Sequence, residues 1–279
     1  MLNLGLSSGF FPEGTPLEVA ARRTRDLGLD TLSLPVPGPV PGGPREAIRS
    51  VGASVCAVVL GETGATEETF ARRRAAAVEA AACLRAGHVV VEGGSLGRQA
   101  TRALRREERD LLTALRGRET PDAGSALALR DEYREKAAET AARALHSALA
   151  DGVPYALRNG ARPEDLLLRP EEVEWLLDDL PTLSLYFDPA RAERAWRLGL
   201  GPAPAEWADR LASRMAGVFV HGLGSDLAGH GHPEDGAADW GTLGASLPRR
   251  VPWVLDLTHT LSAADVEDAI RYLRAMVGE

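Results

Sequence analysis

Short apolar runs rich in β-branched residues alternate along the chain with longer Ala/Leu/Arg stretches of helical period. The runs are Leu2–Leu6, Thr31–Val36, Ser54–Leu60, His88–Glu92, Val153–Arg158, Leu183–Phe187, Gly217–His221 and Pro252–Leu257. They read as strands. Helices are expected over Pro16–Leu27, Glu67–Ala86, Asp131–Ala150, Glu171–Leu177, Glu206–Met215 and Ala263–Met276. Ser262 precedes the last of these as an N-cap, ahead of an acidic first turn and a basic last one. Pro170 followed by Glu171 and Glu172 suits a helix first turn. Gly28, Gly87 and Gly152 each follow a helical stretch and precede a strand, as a glycine just past a helix end does.

Repeated strand–helix alternation implies parallel strands joined by helical crossovers. Eight such units in about 250 residues is the size of a (β/α)8 TIM barrel, an α/β fold. An open doubly wound sheet is the rival. No GxGxxG opens the first helix, which weakens a dinucleotide-binding version of that rival. No Gly/Ser-rich linker divides the chain, so residues 1–279 read as one domain. The cluster Pro35–Pro44 reads as a rigid loop after the second strand. Within the irregular stretch Ser95–Arg130, RALRREERDLLTALRGR reads as a helix and PDAGSA as a loop. In a barrel both extend the region after the fourth strand, on the active face.

Composition narrows the chemistry. The chain carries 40 Asp+Glu against 32 Lys+Arg, a net charge of −8. An acidic chain is a poor partner for a phosphate backbone, although a local basic cleft can hide in a negative average. No apolar run reaches membrane-spanning length, and the N-terminus lacks the features of a signal peptide, so a cytoplasmic location and no membrane partner are expected. Cys56 and Cys83 are expected to be reduced, and two cysteines build neither a disulfide framework nor a cysteine zinc site. Lys136 is the only lysine and lies in the charged run RDEYREKAAET, which argues against Schiff-base chemistry needing a desolvated amine. There is no P-loop triplet GK[ST].

In a barrel, reactive residues stand at or just past the C-terminal ends of strands. Here those places hold Ser7-Ser8, Pro35, Gly61-Glu62, Glu92, Arg158-Asn159, Asp188, His221 and Asp256. The last four each carry an ionisable group at the end of an apolar run: YALRN, LYFDP, VFVHG and WVLDL. A buried charge is costly unless paired. Each alone could be a cap or a salt-bridging residue, but four converging on one barrel mouth would pair with one another or with a ligand.

These residues resemble a family, the xylose isomerase-like TIM barrels, which contain sugar and sugar-phosphate isomerases and epimerases and the family 2 type of AP (apurinic) endonucleases. The resemblance covers nearly the whole chain and is most specific in the C-terminal half. DGVPYALRNG, LSLYFDPARA, VFVHGLGSD and VPWVLDL resemble strands five to eight, and GHPEDGAADWGTL resembles the glycine-rich loop ending in Asp-Trp. By resemblance, one divalent metal (Mn, Mg or Zn) is held by Glu, Asp, His and Glu from those strands. The two Glu residues move a proton at the carbon beside the carbonyl, while the metal stabilises the enediolate oxygen.

The chain departs from that pattern. Arg158 stands at the strand-five Glu, Asp256 shortens the strand-eight Glu, Arg191 replaces the His three residues after Asp188, and Glu92 stands where the endonuclease branch has His. Arg158, Asp188 and Asp256 without a metal carry the same net charge as two Glu, one Asp and a divalent cation. A divalent ion about 4 Å from a guanidinium would meet a repulsion of about 8 kcal/mol at an effective dielectric near 20. Arg158 is therefore expected to fork onto Asp188 or Asp256, with no cofactor. The open alternative is that Arg158 points elsewhere and Asn159 or Glu92 completes a shifted metal site with Asp188, His221 and Asp256.

The candidate catalytic residues are Asp188, His221, Asp256 and Arg158. The candidate substrate-binding residues are Glu92, Asn159, Arg191 and His259. Gly93-Gly94 could serve Glu92 in holding a sugar hydroxyl or simply turn the chain. His230 and His232, in AGHGHPEDG, read as solvated loop residues, His88 as structural, and His146 as a helix residue. Trp240 is expected, by resemblance, to pack its loop on the barrel, with Trp253, Phe187 and Phe219 in the core. Arg22, Arg23, Arg72, Arg73 and Arg74 read as solvated helix-face charges, not a nucleic-acid stripe.

Three functions compete. The first is a sugar or sugar-phosphate isomerase or epimerase with Asp256 or Asp188 as base, His221 as acid or orienter, and Arg158 and Arg191 on an oxyanion or phosphate. The second is a non-catalytic relative binding a polyol or other small carbohydrate or an anion, or serving a partner. The third is an endonuclease, disfavoured because the required strand-three and strand-four histidines are missing. A homodimer is compatible with each.

Overall fold

The computed structural model describes residues 2–12, 14–35, 48, 50–60, 67–224, 227–236 and 238–279. Eight parallel strands close into a barrel in chain order: β1 Leu4–Ser7, β2 Thr31–Pro35, β3 Ser54–Leu60, β4 His88–Glu92, β5 Tyr155–Arg158, β6 Ser184–Phe187, β7 Met215–Val220 and β8 Trp253–Leu255. β8 pairs with β1 through Leu4–Trp253 and Leu6–Leu255, which excludes the open sheet. Every expected strand is present, two of them with unchanged bounds. Most of Pro35–Pro44, and Gly61-Glu62, lie outside the described residues.

Nine helices occur among the described residues: α1 Leu17–Asp26, α2 Glu67–Leu84, α3 Arg98–Arg116, α4 Gly124–Leu149, α5 Pro170–Asp179, α6 Pro189–Arg197, α7 Pro204–Leu211, α8 Trp240–Ser246 and α9 Ala263–Met276. Ser262 caps α9 by accepting from the Asp265 amide, as its position requires. Of the expected loop PDAGSA, Pro121, Asp122 and Ala123 are outside any helix, and the other three residues are helical. α4 starts at Gly124, whose amide donates to Asp122 Oδ1 at 3.0 Å, and that turn brings the chain into the helix before its apolar period is legible. α6 has no counterpart among the expected helices, and α8 starts at the Asp-Trp that ends the glycine-rich loop. α8 is a seven-residue segment with glycines at 241 and 244, and its stability comes from packing rather than propensity.

Gly28 and Gly152 take φ of 74°, as helix-terminating glycines do. Gly87 does not. The left-handed residue after α2 is Arg85, at φ 53°. Gly87 is needed for close approach, since a Cβ there would stand 2.8 Å from the Cys56 carbonyl oxygen.

The barrel interior is plugged by Ala57, Val90, Ala156, Tyr186, Phe219 and Val254, all buried. The larger core lies between strands and helices and includes Phe187, stacked on Trp207 at 5.7 Å. Trp240 packs its loop against Trp253 at 6.2 Å between ring centres.

Candidate functional site

Side chains alternate across a strand, so the residue two places beyond an interior residue returns to the same face. Val90, Ala156, Tyr186, Phe219 and Val254 belong to the interior plug. Two places on stand Glu92, Arg158, Asp188, His221 and Asp256. The five ionisable groups thus stand on the plug, at the C-terminal mouth, because the strand period puts them there.

Arg158 lies at the centre. Its Nη2 donates to Asp188 Oδ2 at 2.5 Å and to Asp256 Oδ2 at 2.9 Å, and its Nε donates to Asp188 Oδ2 at 3.1 Å. Its Cζ sits 4.0 Å above the centre of the Phe219 ring, on the face that attracts cations. Burial works against the charge, but Asp188 and Asp256 outweigh it and raise the guanidinium pKa above its ordinary value.

Asp188 is fully buried and fully used. Oδ1 accepts from the Arg191 amide at 3.0 Å, capping α6, and lies 3.2 Å from His221 Nε2. Arg191 Nε lies 3.4 Å from Oδ2. Burial alone would raise this carboxyl, yet His221, Arg158 and Arg191 together hold it well below the usual carboxylate range. Asp256 behaves likewise: against burial, Arg158, His230 and His221 lower it.

His221 Nδ1 lies 3.0 Å from the His230 amide, which donates to it, and 3.1 Å from the Gly222 carbonyl oxygen, while Nε2 faces Asp188. Burial disfavours the imidazolium, but Asp188 and then Asp256 raise the pKa above its ordinary 6.5. His230 stacks on His221 at 4.7 Å, and its Nδ1 donates to the Asp256 carbonyl at 3.0 Å. The solvated-loop expectation for the pair of histidines therefore needs correcting. His230 is half exposed but locked onto the site, and His232 is buried, its Nδ1 accepting from the Glu234 amide.

Arg191 joins Glu92 to this network, Nη2 to Oε1 at 2.6 Å. Asn159 is buried and clamps β5 to the end of β6: its Oδ1 accepts from the Asp188 amide at 2.7 Å and its Nδ2 donates to the Asp188 carbonyl at 3.0 Å. His259 is exposed on the turn after β8.

A cavity of about 790 Å³ opens above the network. Glu92, Arg158, Arg191, His221 and His230 line it; Asp188, Asp256, Asn159 and His259 do not. The sequence reading missed Arg98, Arg102, Arg105, Arg162 and Arg194, which also line it. The signal was available in part, because a helix following β4 sits on the active face and Arg98, Arg102 and Arg105 recur at helical spacing.

Two clusters bring possible cation ligands within 4.8 Å of one another: His221, His230 and Asp256, and His232, Glu234 and Asp268. In the first, His221 Nδ1 already accepts from the His230 amide, and Asp256 Oδ2 already accepts from Arg158. A guanidinium bridges Asp188 and Asp256, where it competes with any cation for both carboxylates. Among the described residues, no helix is long and apolar enough to cross a membrane.

The sequence matches no family model and no curated protein. Solved structures do match over the full length. A xylose isomerase domain-containing protein from Salmonella typhimurium LT2 superposes with a TM-score of 0.68 at 11% identity, covering 100% of this chain and 98% of that one. D-Psicose 3-epimerase from Clostridium cellulolyticum H10, solved with D-tagatose, gives 0.68 at 12% identity, covering 99% of each chain. L-Ribulose 3-epimerase gives 0.69 at 15% identity, covering 100% of this chain and 95% of that one. With the closed eight-stranded order, these matches make the fold of this chain a (β/α)8 TIM barrel like that of those structures.

Proposed function

We propose that this barrel is an isomerase or epimerase of small polyhydroxy compounds that works without a metal, using the Arg158 guanidinium as its electrophile. The observation that carries the reading is the fork of Arg158 between Asp188 and Asp256 on the floor of the cavity. A fixed guanidinium stabilises the oxyanion that forms when a proton leaves the carbon beside a carbonyl. Arg191 stands beside it, oriented by Glu92 and Asp188. His221 is the orienter, holding Asp188 through Nε2. Glu92 and His230 line the cavity, and among the described residues Glu92 Oε2 and His230 Nε2 make no hydrogen bond. They are the groups free to take and return the proton. Asp256, bonded through Oδ2 to Arg158, is the reserve base.

The test is solvent-deuterium incorporation into a panel of ketoses and aldoses, with and without added divalent metal. Metal-independent exchange that falls with Arg158→Met and Glu92→Gln supports the reading. Tight stoichiometric binding of Mn²⁺ or Zn²⁺ by calorimetry, with exchange only in its presence, overturns it.

A second reading is a barrel that binds a polyol without turning it over. It is favoured by one observation: both aspartates of the floor are bonded to Arg158, and their lowered pKa values make them poor bases. Thermal-shift stabilisation by polyols with no exchange on any sugar would select it.

A further inference from the structure

We propose that the arginine face of α3, with Arg162 opposite, is an anion subsite holding a phosphate or carboxylate group of the substrate. The inference rests on the proposed reading only in taking the Arg158 floor as the place where the rest of that molecule lies. Arg98, Arg102 and Arg105 fall at i, i+4 and i+7, so they share one helix face, and all three line the cavity. Arg162, from the loop after β5, lines it as well. Seven arginines line this cavity against three carboxylates, Glu92, Glu164 and Asp165, in a chain whose net charge is −8. The basic cleft is therefore a local feature that the average conceals.

Pairing separates these arginines into two groups. Arg158 and Arg191 belong to the floor, Arg194 pairs with Glu108 at 2.7 Å, and Arg105 pairs with Glu164 at 3.0 Å. The side chains of Arg98, Arg102 and Arg162 make no ion pair among the described residues, and all three residues are exposed. Of the two carboxylates just after Arg162, Glu164 is the partner of Arg105, and Asp165 spends Oδ2 on the amides of Ala161 and Arg162 at 2.8 and 2.9 Å.

The start of α3 supplies an independent argument. A helix N-terminus carries partial positive charge, and acidic side chains normally offset it. Here the N-cap is Gly97, no side chain caps the helix, and the first turn contains no acid. Arg98 and Arg102 add like charge to that end. The arrangement is locally unfavourable alone and becomes favourable with an anion, which meets guanidinium forks and uncapped amides together. Forked donors suit an oxyanion group of several terminal oxygens, which a phosphate or a carboxylate provides and a neutral sugar lacks.

The experiment is calorimetry at low salt with inorganic phosphate and with malonate. It uses the full chain, the rim variant Arg98→Gln/Arg102→Gln/Arg162→Gln, the floor variant Arg158→Met, and an α1 control, Arg22→Gln/Arg23→Gln. The expected result is saturable binding that weakens about tenfold or more in the rim variant, is unchanged in the α1 control, and falls with added salt. Tighter binding of phosphate than malonate assigns the subsite to a phosphoester, and the reverse order to a carboxylate. Binding retained in the rim variant but lost in Arg158→Met would place the anion on the floor and overturn the proposal, as would no binding of either probe. Sugar exchange that survives in the rim variant without anion binding by the full chain would leave the isomerase reading standing and this one refuted. The converse outcome, anion binding carried by the rim with no exchange on any sugar, would do the opposite.

Discussion

Two arginines are buried among the described residues, and their surroundings differ in kind. Arg130, on α4, is 2% exposed and holds Glu172 through Nη2 at 2.9 and 3.1 Å. Its Nη1 donates to the carbonyls of Pro163 and Asp165. Glu172 in turn accepts from the amides of Leu168 and Arg169 at 2.7 and 3.2 Å. One cation meets one carboxylate, the partners belong to the fold, and Arg130 does not line the cavity above the floor. Arg158, 5% exposed, meets two carboxylates, rests on an aromatic ring, and lines a cavity of about 790 Å³. A buried arginine that fastens loops is matched charge for charge. Arg158 instead carries surplus opposite charge and keeps a face toward open space, as its proposed role requires.

That contrast can be broken most forcefully at Arg130. Arg130→Met strands Glu172 and two carbonyls, and denaturant unfolding should show a loss of about 3–5 kcal/mol. Replacing both partners, Arg130→Met with Glu172→Leu, should recover much of it; a double variant as unstable as the single would show the pair is more than a matched fastening. Arg158→Met should also destabilise, with a different pH signature. The lowered carboxyls of Asp188 and Asp256 contribute stability above their ordinary value of 3.8 that is lost as pH falls through the lowered values. The gap between wild type and Arg158→Met should therefore be wide at neutral pH and close in acid, and a gap indifferent to pH would count against the pairing. Arg158→Glu should gain a stoichiometric Mn²⁺ site by calorimetry.

His221→Gln is expected to cost less, about 1 kcal/mol. Because the imidazole pKa is raised, its contribution is fully present below 6.5 and is lost as pH rises through the folded value. Melting temperatures compared at mildly acid and alkaline pH should show the variant closer to wild type on the alkaline side. Arg102→Gln should change stability least, within about 0.5 kcal/mol, since its side chain is exposed and makes no ion pair among the described residues.

The barrel was legible because its signal is repeated. Each strand is a short apolar run ended by turn residues, and each error at an end is absorbed by the neighbouring register. The floor was legible for the same reason: Arg158, Asp188, His221 and Asp256 close apolar runs at one end of parallel strands. Asn159 was read as facing the ligand, but it stands one residue past Arg158, out of phase with the interior face, and its amide clamps the backbone of Asp188. His230 was read as solvated because nothing local fixes a glycine-flanked histidine; its place comes from a bridge between Gly222 and Gly231 that folds the loop back over the mouth. The rim arginines were hidden by the acidic average and by the absence of a strand end to mark them. Such positions depend on how a helix rolls against the barrel, which only packing determines.

Asp188 serves α6 and the floor with the same carboxylate. A ligand that draws Arg158 away from it would redistribute the bonds at Oδ2, and the first turn of α6 would feel the change through Oδ1. The backbone amide of Arg191 is thus a built-in listening post: its exchange with solvent deuterium or its nitrogen chemical shift should register occupancy of the mouth without any label being placed in it.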